Sequence, residues 1–108
     1  MLSEDRKRAA QRALVTRVLE GGGTAPADQR RAAFENGEFA EPLRTLVDRV
    51  ALHPTYVTDA DVAAVKASGL DEDQVFELVV CAAVGQATRQ YEAALAALAA
   101  ATGDDHAA

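Results

Sequence analysis

With 108 residues the chain has room for one domain, and its single cysteine, Cys81, excludes an intrachain disulfide and a cysteine-rich metal site. Seventeen acidic side chains against eleven basic ones give a formal charge of -6, which argues against nucleic acid, whose phosphates are bound through clustered lysine and arginine. Met1-Leu2-Ser3-Glu4-Asp5 carries no apolar signal core and no apolar run approaches the roughly 20 residues of a membrane span, so a cytoplasmic protein without membrane contact is expected.

Ser3 can cap a first helix whose acidic start suits the positive end of the helix dipole and whose stop is Gly21-Gly22-Gly23. Ala10, Ala13, Leu14 and Val18 form its expected apolar stripe, and Arg6, Lys7, Arg8, Arg12 and Arg17 read as a solvated face. Thr24 and Pro26 open a short second helix that runs to about Glu35, with Phe34 as its core anchor, before Asn36-Gly37 breaks it. Pro42 opens a third, in which Leu43, Leu46, Val47, Val50 and Ala51 recur at spacings of three and four, and Pro54 ends it.

Thr58 and Asp61 have the spacing of a capping box, followed by Val62 and Val65 and a stop at Gly69. Asp71 and Gln74 form a second such box, from which the longest helix runs to about Ala101. From Val75 to Val84 that helix is apolar nearly all round, interrupted by Glu77, which predicts a central position; Tyr91, Leu95 and Leu98 then continue one stripe. The fold expected is all-α, a helical bundle over 1–101 with a long central C-terminal helix, and 102–108 form a disordered tail. A composition of 49% hydrophobic residues in so small a domain, with the flank Ala93-Ala94-Leu95-Ala96-Ala97-Leu98, predicts an interface with further copies.

The words Leu46-Val47-Asp48, Val57-Thr58-Asp59-Ala60-Asp61-Val62, Gly69-Leu70, Phe76-Glu77-Leu78-Val79-Val80 and Ala82-Ala83-Val84-Gly85 give the stretch from Leu43 to Leu98 its layout. That stretch resembles the carboxymuconolactone decarboxylase and AhpD-type alkylhydroperoxidase family. The resemblance implies an AhpD-like bundle assembled as a trimer or hexamer. In the peroxidase branch a CxxC pair precedes the helix that ends in Gly-Leu, a histidine lies in that helix's first turn, and a glutamate lies upstream. Counted back from Gly69, those places fall on Pro54, Val57 and Asp61, with Glu41 the carboxylate nearest the upstream position. Thiol peroxidase chemistry needs a low-pKa thiolate and a resolving thiol, and neither proline nor valine can ionise or exchange. Cys81, among Val80, Ala82 and Ala83, reads as an inert small hydrophobe.

The decarboxylase branch needs no thiol pair, metal or cofactor, and such chemistry could rest on a carboxylate, a histidine and an arginine gripping a small acidic ligand. The candidate catalytic residues are His53, Tyr56, Asp61, Glu77 and Arg89. Each also has a purely structural reading. His53 would stabilise the last carbonyls of its helix, Tyr56 would pack in the loop, and Asp61 would complete its capping box. Arg89 would pair with an acid such as Glu92 or face inward, and Glu77 would pair across the bundle with Arg44 or Arg49 or else serve as an acid of raised pKa in a cleft. The expectation is an oligomeric helical protein without thiol peroxidase chemistry, acting as a binding or structural subunit. The alternatives are a cofactor-independent lyase or decarboxylase acting on a small carboxylate or lactone, and a small-ligand sensor.

Overall fold

A computed structural model describes residues 2–103. It is all-helical among those residues, with α1 over Leu2–Glu20, α2 over Ala27–Phe34, α3 over Leu43–Leu52, α4 over Asp59–Ala67 and α5 over Glu72–Thr102. One 3-10 turn, Pro54–Tyr56, joins α3 to α4.

Both capping boxes form. The Thr58 hydroxyl accepts from the Asp61 amide while the Asp61 carboxylate accepts from the Thr58 amide, and Asp71 and Gln74 repeat the exchange at the start of α5. Each satisfies two amides that a helix start leaves without partners, which fixes where α4 and α5 begin. Pro42 stands ahead of α3 as expected, and α2 stops where Asn36 turns into left-handed backbone at φ 52°.

The ends of the chain differ from the sequence reading. Helix α1 is already formed at Leu2, so Ser3 lies inside it rather than ahead of it as a cap. Helix α5 continues through Thr102, whose hydroxyl back-bonds to the Leu98 carbonyl, and closes on left-handed Gly103. The expected tail therefore starts too early, because a left-handed glycine just past the last turn is the ordinary helix stop. Residues 104–108 of that tail lie outside the described residues.

The core gathers Ala33 from α2, Leu46 and Val47 from α3, Val65 from α4 and Leu78, Cys81 and Ala82 from α5. Helix α5 touches every other helix, so the expected central position holds, yet it is not covered all round. Val75, Leu78, Cys81, Ala82 and Gly85 are buried on one side, while Phe76 is 67% exposed and Ala83 is exposed. The apolar run is wider than the neighbours that pack on it.

Helix α1 also turns a different face inward than its alanines suggest. Leu19 is buried and Gln11, Val15 and Val18 are half-buried, while Ala10, Ala13 and Leu14 are exposed. The inward set recurs at four, three and one residues, a narrow stripe suited to a helix that rests mainly on one neighbour. Gln11 donates to Thr88 Oγ1 at 2.9 Å and Cys81 Sγ lies 3.4 Å from the Val18 carbonyl, so α1 runs antiparallel to α5. Its first turns lie beside the last turns of α5, in a molecule measuring 53 × 28 × 20 Å.

Candidate functional site

At the α3–α4 turn, Arg49 holds Asp61. Its Nη1 donates to both carboxylate oxygens, at 2.7 and 3.0 Å, and the same carboxylate takes the Thr58 amide at 3.0 Å. The Thr58 amide and then the Arg49 guanidinium hold the Asp61 carboxyl below the usual carboxylate range. A carboxylate with this many donors is a poor proton acceptor, and its acceptor sites are filled by the helix cap and by the arginine that ties α3 to α4.

His53 and Tyr56 flank the 3-10 turn with their rings stacked, centroids 5.3 Å apart and planes 17° from parallel. The expected role of His53 in capping carbonyls is not what forms. Its backbone amide reaches the Arg49 carbonyl, while its ring lies exposed on Tyr56. The hydroxyl-bearing ring of Tyr56 is itself 63% exposed, so the pair sits on the surface rather than in a cleft. Pro54 opens this turn and Val57 follows it, and Glu41 accepts from the Thr45 amide and hydroxyl at the start of α3.

Glu77 pairs with neither Arg44 nor Arg49, which correct to Glu38 and Asp61 respectively. Its carboxylate reaches the loop between α1 and α2 and accepts from the Thr24 amide, the Thr24 hydroxyl and the Ala25 amide at 2.8–3.1 Å. Those amides, Thr24 first and then Ala25, hold its pKa down against burial, the opposite of the raised pKa a cleft acid would need. A side chain on Gly23 would start 2.6 Å from Glu77 Oε1, so the loop approaches the carboxylate this closely because residue 23 is glycine.

Arg89 forms no pair with Glu92. Its Nη1 donates to the Phe34 carbonyl at 2.7 Å and its Nη2 to Gln86 Oε1 at 2.9 Å, so it closes the end of α2 against α5. One turn earlier, a Cβ on Gly85 would run into the carbonyl oxygen, carbon and Cα of Phe34. The close packing at Gly85 therefore seats α2 on α5.

The five candidate side chains thus occupy separate neighbourhoods. His53, Tyr56 and Asp61 share the α3–α4 turn, Glu77 faces the α1–α2 loop, and Arg89 faces the end of α2. Of three surface depressions among the described residues, none is lined by His53, Tyr56, Asp61 or Arg89, and one is lined by Glu77. Comparison with protein-family models, with curated proteins and with solved structures finds no match. Geometry alone therefore selects the site.

The depression of about 480 Å³ between α1, the α1–α2 loop and α5 is within the usual size of a small-molecule pocket. Leu14, Val18, Phe76 and Val80 supply apolar walls, Gly21 and Gly22 the end, and Arg17, Arg30 and Glu77 the charge, with Cys81 beneath. The sequence reading did not single out Arg30, although helical spacing puts it on the face of Ala33 and Phe34. It is 8% exposed, its Nη1 donates to the Gly21 carbonyl at 2.7 Å, and its buried Nε has no partner. No group of three or more histidine, cysteine, aspartate or glutamate side chains fit to hold a metal occurs among the described residues.

Cys81 is 1% exposed, and burial pushes its thiol pKa up. It is expected to react with a disulfide reagent such as DTNB at least about a hundredfold more slowly in the native chain than in the urea-unfolded one, because access needs local opening. Comparable rates in the two states would show that the thiol is open to the groove.

Proposed function

We propose that the chain acts by binding, as an oligomeric helical subunit on the carboxymuconolactone decarboxylase-like scaffold its sequence resembles, without thiol peroxidase chemistry. One observation carries this reading: Asp61, Glu77 and Arg89 each direct their polar atoms at backbone that they hold in place. A group whose acceptor or donor sites are filled by the fold has little left with which to move a substrate's proton. Apolar side chains left open outside that depression support assembly, since Leu98 of α5 and Leu52 of α3 are 60% and 52% exposed. No helix among the described residues is long and apolar enough to cross a membrane.

Light scattering at micromolar concentration is expected to give a mass of more than one chain, and a monomer alone would refute assembly. In a cumene hydroperoxide assay with thiol recycling the expected result is no turnover above buffer. Robust turnover that survives Cys81→Ser would overturn the non-peroxidase reading.

A further inference from the structure

We infer that the groove between α1, the α1–α2 loop and α5 binds a small carboxylate with an apolar body. The carboxylate lies on Arg30 and Arg17, and the body lies against Leu14, Phe76 and Val80. This inference rests on the reading of the chain as a binding protein and gives that reading a ligand class.

The guanidinium of Arg30 carries the argument. Its Nη1 corner holds the Val18 and Gly21 carbonyls at the end of α1, while Nε, buried, and Nη2 make no hydrogen bond among the described residues. Nη2, unlike Nε, is not closed off, so it is the corner of the guanidinium that an acceptor in the groove can reach, and a carboxylate oxygen is the acceptor that forms the strong charge-assisted bond there. Arg30 is largely buried and Nη2 has no acceptor of its own, so an acceptor arriving there gains more than it would at a fully exposed arginine.

The surrounding charge favours the same ligand. Arg17, exposed on the rim, has no acidic partner among the described residues. Glu77 is the only carboxylate lining the groove, and its oxygens are taken by the Thr24 and Ala25 donors. Glu77 keeps its charge, which acts on Arg30, so the two arginines leave the groove one positive charge in excess in a chain of formal charge -6. A wholly polar anion would leave Phe76 and Leu14 uncovered, and a neutral apolar molecule would leave Arg30 Nη2 unpaired.

Octanoate is the probe, titrated into the full chain by calorimetry with amide chemical shifts recorded in parallel. Saturable one-to-one binding is expected, with shifts concentrated at 14–22, 30 and 76–81. Acetate and octanol, each lacking half of the ligand, are expected to bind at least about tenfold more weakly. Arg17→Ala should weaken octanoate about threefold to fivefold, as for a partly exposed ion pair. Phe76→Ser should weaken it about tenfold through lost apolar contact. Arg30→Lys keeps the charge without the fixed Nη2 donor and should cost tenfold or more. If Arg30→Lys disturbs the circular dichroism, the Arg17 and Phe76 variants decide. Octanol binding as tightly as octanoate, or no saturation by about 10 mM, a range that covers even weak sites, overturns the proposal. So does a fall in particle mass on Phe76→Ser without octanoate binding, which would assign the groove to a second copy. Failure here with the oligomer mass intact leaves the subunit reading standing.

Discussion

Replacing Gly85 by alanine is expected to lower the free energy of unfolding by about 2 kcal/mol or more, a loss in the range of core overpacking, read as a fall in the urea midpoint at unchanged slope. Two effects of opposite sign compete at this position. Alanine favours a helix interior over glycine by about 1 kcal/mol, so a solvent-facing Gly85 would make the substitution stabilising. Against it stands the Phe34 backbone, which a Cβ would meet at its carbonyl oxygen, carbon and Cα. Backbone at a helix end cannot swing aside as a side chain does, so α2 must lift from α5 and strain the Arg89 bond to the same carbonyl. A midpoint equal to or above that of the parent would show that the helices do not cross at this residue.

Glu77→Ala is expected to cost about 2 kcal/mol, the scale of one charge-assisted hydrogen bond to a buried amide, because Ala25 is 3% exposed and its amide would be left without its acceptor. The Thr24 donors are exposed and can turn to water, so they add little. The dependence on acid has a definite sign. A carboxylate whose folded pKa lies below its unfolded value stabilises fully above the unfolded value, and that stabilisation is lost as pH falls through the folded one. The stability gap between the parent and Glu77→Gln should therefore be widest near neutrality and narrow below about pH 4, the usual range of an unperturbed glutamate. Urea melts at the two pH values test this, and a gap of equal size in both would mean that the carboxylate charge plays no part.

The helices were legible where local chemistry decides them. Thr58 with Asp61 and Asp71 with Gln74 announce their helix starts through side chains three residues apart, and no distant contact is needed to form either box. Partners across the bundle were not legible in the same way. Glu77 sits in an apolar run and calls for a cation on general electrostatic grounds, yet it finds backbone amides in a loop 52 and 53 residues away. Nothing in the spacing of Arg44 or Arg49 marks them as taken by Glu38 and Asp61.

The groove escaped the sequence reading for a related reason. Period alone places Leu14 and Phe76 on helices but cannot say which side of each helix a neighbour will cover. Leu14 looks like core and is half exposed, while Gln11 looks like surface and bonds inward to Thr88. Nothing in the sequence singles out Arg30, because its role appears only once α1 ends above it and the carbonyls there need a donor.

Because α1 descends along α5 in the opposite sense, Leu2 and Gly103 emerge at the same pole of an elongated molecule, far along α5 from the loop that meets Glu77. A label or fusion partner attached before α1 or after α5 would therefore hang from that one pole. The opposite pole, where the glycine loop meets Glu77, would stay clear, so a tethered chain could be presented on a surface with that loop outward.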